Sequence, residues 1–255
     1  MILSRGRRRI VRVTCFAGVI GHGRSMPEVD SELYKLITVG GTDATEFLQG
    51  QLTQDVSLLK EAGQLPAAWC NPKGRVITTI RLVNQGESIG LIVPGNMVDR
   101  VIQRLTMYRL RSKVEFSTPS DNWQGLIDTA GADPAAMIRA GVPTIDETNS
   151  EVYTPHMLNL DKLGFISFSK GCYTGQEVVA RTEHLGKSKR RLMRYEADKE
   201  GTGVGDKLIH GEQQVGEVVN VVGRDLLAVT PIGVHGQPLK LGDTTVSPKG
   251  IPYDL

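Results

Sequence analysis

Between residues 34 and 116 apolar runs of two different periods follow one another, and their order constrains the fold more than any single residue does. "LYKLITVGG" reads as a strand closed by a glycine turn. "TDATEFLQGQLTQDV" then opens on Thr42 or Asp43 as a helix N-cap and sets Phe47, Leu48 and Leu52 at helical spacing. "AAWCNPKGRVITTIRLV" follows as strand, Asn-Pro-Lys-Gly turn and strand, a hairpin, and "SIGLIVP" as a further strand. A helix from Asn96 puts Val98, Val101, Ile102, Leu105 and Tyr108 on one face and Asp99, Arg100, Gln103 and Arg104 on the other, before "KVEFS" returns as a strand. In outline this is β-α-β-β-α-β, the split βαβ arrangement of an α+β fold. A second α+β unit is expected from "WQGLIDT", where Asp133 as N-cap, Pro134, Gly141 and Pro143 bracket a short helix.

After about residue 189 the texture changes. "RRLMRYEA", "DKLIH", "QQVGEVVNVV" and "DLLAVTPI" are short β-rich runs with glycines through and between them, which predicts a small antiparallel barrel or sandwich. The expected division is an extension over 1–27, an α+β body over 28–188 and a β-rich unit over 189–255, with the boundary at Lys187 to Arg191. The chain has 255 residues, 40% of them hydrophobic and 23% charged, as in an average folded domain, and no apolar run is long enough to span a bilayer.

Charge and cysteine usage narrow the function classes. Six of the 30 basic residues and none of the 28 acids fall within residues 1–25, so the remainder is acidic by four charges. Non-specific nucleic-acid binding through overall charge is therefore not supported. The Arg-rich opening segment reads as a targeting peptide, a poor secretory signal or, preferred, upstream sequence before a true start at Met26, because the patterned sequence begins just after it. Cys15, Cys70 and Cys172 are far apart and form no C-x-x-C pair; the five histidines make no H-x-x-x-H pattern. A disulfide framework and a self-contained metal site are not expected, and a reducing compartment fits best.

One stretch stands apart, "FSKGCYTGQEVVARTEHLGKSKRR", residues 168–191. Thr174 and Glu177 make a T-x-x-E capping box, so a helix is expected there with its free N–H groups and positive dipole end facing Cys172. Lys170 precedes the cysteine and Arg181 lies one turn beyond Glu177, surroundings that lower a thiol pKa. The competing reading is a small buried cysteine beside a glycine turn, and spacing alone does not separate the two. Gly171 and Gly175 permit close backbone approach to a ligand. Lys187, Lys189, Arg190 and Arg191 offer charge to an anionic tail or to RNA, although a solvated linker is the commoner meaning of such a run. The hairpin turn, Asn71 to Arg75, adds Lys73 and Arg75.

On "KGCYTGQEVVART", supported in order by "FLQGQLTQDV", "WCNPKGRV", "YRLRSKV" and "LGFISFSKG", the chain resembles the YgfZ family of folate-binding proteins. These are relatives of the glycine-cleavage T-protein and of mitochondrial iron–sulfur assembly factors. The resemblance runs from about Glu32 to the C-terminus. It implies a body of two interlocked α+β lobes with a C-terminal antiparallel β-barrel around a central cavity, and tetrahydrofolate or a derivative as cofactor. It also implies a cytoplasmic role, or one in the mitochondrial matrix of a eukaryote, sustaining iron–sulfur enzymes or assembly proteins, including those that methylthiolate tRNA.

Carried over by position, Cys172 is the motif cysteine, surrounded by Lys170, Gly171, Tyr173, Gly175, Gln176, Glu177 and Arg181. Asn71, Lys73 and Arg75 join them as folate contacts, and Tyr34 is placed against the pterin. Thr78 and Thr79 stand where the T-protein has an acidic pair, and a hydroxyl does not act as a carboxylate near neutral pH. Ordinary aminomethyl transfer is therefore not expected. The leading expectation is an accessory protein using Cys172 as a reactive thiol or transient ligand beside bound folate. The alternatives are a folate-dependent one-carbon transferase with its base elsewhere, and an RNA-binding tRNA-modification factor with the basic linker as its footprint.

Overall fold

A computed structural model describes residues 31–127, 131–186 and 188–255. The extension carrying Cys15 and Met26, and Lys187, lie outside the described residues.

The first sheet is built from β1 (Tyr34–Gly40), β2 (Gln64–Cys70), β3 (Val76–Asn84), β4 (Ile89–Pro94) and β5 (Glu115–Phe116), in the order β2-β3-β4-β1-β5. It holds one strand more than the β-α-β-β-α-β outline, because the hairpin and β4 place three strands between the two main helices. Every pairing in it is antiparallel. The alternation along β1 sends Ile37 and Val39 into one core and Leu36 into another, as a period of two requires. β4 is buried along its whole length, which is why it reads as an unbroken apolar run rather than an alternating one.

Helices α1 (Ala44–Gln51) and α3 (Val98–Arg109), with the single turn of α2 (Leu59–Ala62) between them, supply the first core with Phe47, Leu48, Leu59, Val98, Val101 and Leu105, packed on Trp69, Leu82 and Leu91. Each such side chain contributes about 1.5–3 kcal/mol when fully buried. Tyr108, assigned by spacing to the same face, is 41% exposed. At the start of α1 the N-cap is Asp43, but its side chain makes no capping bond. The carboxylate accepts instead from the Lys113 N–H, which ties the end of α3 back to the beginning of α1.

The expected short helix is present as α4 (Pro134–Arg139), with the Asp133 carboxylate accepting from the N–H groups of Ala135 and Ala136. Around it the second unit differs from expectation: among the described residues 117–175 there are isolated bridges and turns but no strand. Its backbone groups are met by the first sheet and the barrel instead. Tyr153 O accepts from Val76 N, Glu151 N donates to Val76 O, and Ile145 is held between Thr78 and Thr79. Buried peptide groups must be paired, and here the pairing partners come from outside the segment.

The C-terminal strands β6 (Arg190–Ala197), β7 (Lys207–His210), β8 (Gln213–Val222), β9 (Asp225–Pro231), β10 (Leu239–Leu241) and β11 (Thr244–Lys249) close into a barrel of order β10-β11-β6-β9-β8-β7. One face shares a core with the body, where Leu192, Val219, Leu227 and Val229 pack with Met137, Ile145, Leu158 and Val179. Reciprocal bonds, Thr144 N to Asn220 Oδ1 and Asn220 Nδ2 to Thr144 O, fix barrel to body. No helix among the described residues is long and apolar enough to cross a membrane.

Candidate functional site

The loop that carries Cys172 is pinned on both sides. Ser167 N donates to Thr53 O and Thr174 N to Gly50 O, which lays the segment along the end of α1. Lys170, only 8% exposed, sends its ammonium to three carbonyls, Gln49 O at 2.6 Å, Leu52 O at 2.7 Å and Gln54 O at 2.9 Å. These are acceptors at and just past the C-terminus of α1, so a cation is the natural cap. The same ammonium lies 5.1 Å from the ring centroid of Tyr173, which is itself buried. Burial pushes the Lys170 ammonium down to about 8, with Asp55 acting the other way, and burial likewise pushes the Tyr173 phenol up.

Between these two buried anchors Gly171 and Cys172 are exposed. Cys70, by contrast, is sealed, and burial pushes its thiol up to about 12. The two described cysteines therefore have opposite environments, and only Cys172 can be met by a reagent or partner.

The expected capping box does not form. Helix α5 (Gln176–Leu185) takes Gly175 as its N-cap, in the left-handed region at φ 84°, without a side-chain capping bond. The helix thus starts one residue later than a Thr174 cap requires. Glu177 turns to solvent, 89% exposed, and meets Arg181 only at 4.0 Å. Gly175 is needed for close approach, but to protein rather than ligand: a Cβ there would lie 2.4 Å from Asn71 O and 3.2 Å from Gly74 Cα. Across the same contact a Cβ on Gly74 would lie 2.7 Å from Val178 Cβ. The turn of the β2–β3 hairpin and the first turn of α5 therefore dock backbone to backbone. Gly171 has open space at the corresponding position.

Asn71 organises that hairpin turn. Its Oδ1 accepts from the N–H groups of Lys73 and Arg75, and its Nδ2 donates to Glu151 Oε2 at 2.7 Å, holding that carboxyl below the usual range. Arg75 donates to Val152 O, Lys73 is exposed, and Gln176 is half-buried as the first residue of α5. Of the basic run offered for an anionic tail or RNA, Arg190 is directed to Val215 O and Val229 O. Arg191 is committed to Asp161 Oδ1 at 2.6 Å and to His156 O. Arg191 is thus internal wiring of the barrel's first strand, while Lys189 and Arg190, the latter bonded only at 3.3 and 3.4 Å, remain exposed. Thr78 donates to Ile145 O and Thr79 accepts from Ile145 N, so both hydroxyls are occupied.

Tyr34 lies elsewhere. It lines a cavity of about 340 Å³ between the body and the barrel, with Met137, Ile138, Thr144, Asp146 and Asn220 among the other walls. Its hydroxyl is 3.3 Å from Thr144 Oγ1 and 3.4 Å from Met137 Sδ, and its ring meets Trp123 edge to face. Burial raises the phenol pKa. The charged lining residues, Glu32 and Asp146, are both acidic. An aromatic wall, apolar sides and carboxylates suit a flat ring with a hydrogen-donating edge better than an anion. None of the other predicted residues lines this cavity. Sequence reasoning missed Met137, Thr144, Asp146 and Asn220 because they come from α4, the following turn and β8, with no common spacing.

No family model matches the chain. The chain is similar to curated proteins named tRNA-modifying protein YgfZ. That of Hamiltonella defensa is 30% identical, over 62% of this chain and 66% of the relative. Those of Enterobacter sp. strain 638 and Yersinia pestis strain Pestoides F are 29% and 27% identical, over 62% and 68% of this chain and 68% and 72% of theirs. The chain thus spans about two thirds of the length of the relatives it matches. In architecture it is similar to the glycine cleavage system aminomethyltransferase T of Bartonella henselae, with a TM-score of 0.65 over 88% of this chain and 84% of that one. Identity there is 13%, so the likeness is one of fold. Sequence and architecture together make the chain a homologue of the YgfZ proteins, built on the fold of the glycine-cleavage T-protein.

Proposed function

We propose that the chain is a tetrahydrofolate-binding accessory protein in the context of tRNA modification. In this reading it sustains iron–sulfur enzymes through the thiol of Cys172 while a reduced folate occupies the cavity beside Tyr34. The observation that carries the reading is the exposure of Gly171 and Cys172 between two buried anchors, Lys170 and Tyr173. A cysteine kept for packing would be sealed as Cys70 is; this one is held at the surface on a rigid support. The relatives' name, tRNA-modifying protein, supplies the context. The cavity supports the folate part, because a pterin ring offers amino and ring N–H donors to the Asp146 carboxylate, whereas Glu32 is exposed and already paired with Lys35 Nζ at 2.8 Å.

The one-carbon transferase reading is disfavoured by Thr78 and Thr79, whose hydroxyls are neutral and already bonded to Ile145. The RNA-binding reading loses Arg191 from its footprint to the buried pair with Asp161. The test is complementation: in a strain lacking its own homologue, Cys172→Ala is expected to fold normally and to leave a cluster-dependent tRNA-modifying enzyme unsupported. Full restoration by that variant would exclude a chemical role for the thiol.

A further inference from the structure

No spacing in the sequence suggests a metal ion, yet the fold brings His156, Asp161 and Glu183 together from two separate segments. One ligand atom of each lies within 4.8 Å of the others, in a grouping that mixes an imidazole with two carboxylates. His156 is 2% exposed and turns Nε2 to 3.0 Å from Glu183 Oε2, while its Nδ1 has no hydrogen-bond partner. Nδ1 is the ring's other nitrogen and points away from the Nε2 that faces Glu183, so the atom the ring offers to the cluster is Nε2. Asp161, 5% exposed, gives Oδ1 to Arg191, which also donates to His156 O. Two carboxylates against one guanidinium leave the cluster one negative charge in excess when the imidazole is neutral.

We propose that His156, Asp161 and Glu183 bind a divalent transition-metal ion of the zinc class, with Arg191 steadying Asp161 from outside through Oδ1. The 3.0 Å between Nε2 and Oε2 is close to the separation of about 3.3 Å that two ligands of one tetrahedral zinc ion adopt. An ion therefore enters by replacing their hydrogen bond with a small movement of Glu183. That residue is 38% exposed and stands at the open side of the cluster, where a fourth, solvent ligand would sit. The imidazole selects transition metals over Mg²⁺, which takes oxygen ligands in octahedral geometry. Because α5 follows directly on the Cys172 loop, the ion would tie that helix to the segment beneath it and, through Arg191, to the first barrel strand.

The full chain carrying Cys172→Ser, so that the exposed thiol contributes nothing, is titrated with Zn²⁺ by calorimetry and with Co²⁺ by visible absorption, with Mg²⁺ in parallel. One saturable Zn²⁺ per chain is expected, with a Co²⁺ spectrum of low coordination number and no Mg²⁺ binding. Glu183→Gln should weaken Zn²⁺ at least tenfold, while Glu177→Gln, exposed on the same helix outside the cluster, should leave it unchanged. If Glu183→Gln melts early, Asp161→Asn in a chain shown to be folded by circular dichroism must give the same loss. Absence of saturable Zn²⁺ and Co²⁺ binding, or binding indifferent to Glu183→Gln, would overturn the proposal and leave the cluster as a hydrogen-bonded clasp.

Discussion

Replacing Gly175 by alanine separates a motif kept for a ligand from one kept for docking. The residue sits at φ 84°, where an L side chain costs about 1–2 kcal/mol. The added Cβ would be 2.4 Å from Asn71 O, 3.2 Å from Gly74 Cα and 3.3 Å from Cys70 Cβ. All three neighbours belong to backbone or to a sealed side chain and cannot rotate away, so the overpacking adds about 1–3 kcal/mol. Together these give a loss of about 2–5 kcal/mol, a large part of the about 5–15 kcal/mol that holds a typical domain folded. The assay is guanidinium unfolding of Gly175→Ala beside Gly171→Ala. Position 171 has open space and no positive φ, so the second variant should stay within about 0.5 kcal/mol of the wild type. Equal loss from both, or a Gly175→Ala midpoint matching the wild type, would refute the docking of hairpin onto helix.

Lys170→Met leaves three carbonyls at the end of α1 without their donor. Denaturant unfolding at pH 7 should show a loss of about 2–5 kcal/mol, part of the unsatisfied-acceptor cost being offset by removal of a buried charge. The Lys170 ammonium titrates at about 8 in the folded chain, against about 10.4 when unfolded. Between those values the unfolded state binds more protons. The stability of the wild type relative to Lys170→Met should therefore rise with pH from 8 to 10.5, by up to about 3 kcal/mol, and be flat below 8. Arg191→Ala strands the buried Asp161 and should cost about 3–5 kcal/mol in the same assay, whereas Lys189→Ala at the exposed neighbour should be near neutral. Cys172→Ala should leave the unfolding midpoint in place and abolish rapid alkylation at that position in the native chain, with Cys70 labelled only after unfolding, as peptide mass mapping would read.

The elements legible in the sequence were those whose pairing is local or whose period is strong. The β2–β3 hairpin followed from its Asn-Pro-Lys-Gly turn, α3 from Val98, Val101 and Leu105, α4 from Asp133 and Pro134, and the barrel from its short glycine-punctuated strands. What misled was chemistry decided by distant partners. Thr174 and Glu177 have the spacing of a capping box, but Thr174 N is taken by Gly50 O and the neighbouring glycine assumes the cap. The basic run at 189–191 looks solvated, and Lys189 and Arg190 are exposed, yet the Asp161 carboxylate and the His156 carbonyl claim Arg191. "WQGLIDT" has the composition of a strand, but its described residues make only the isolated bridge Gln124–Ile127, and it is residues 144–153 that take partners on β3 and the barrel. The candidate site divides in the same way. The motif loop was visible as a motif, whereas the cavity walls at Thr144, Asp146 and Asn220 meet Tyr34 only through the tertiary fold.

Folate in the open-sided cavity beside Tyr34 is tested most directly by calorimetric titration of the purified chain with tetrahydrofolate. A single site of micromolar affinity is predicted, weakened at least tenfold by Tyr34→Ala and untouched by Cys172→Ala. Absence of binding in that range, or binding that ignores Tyr34, would contradict it.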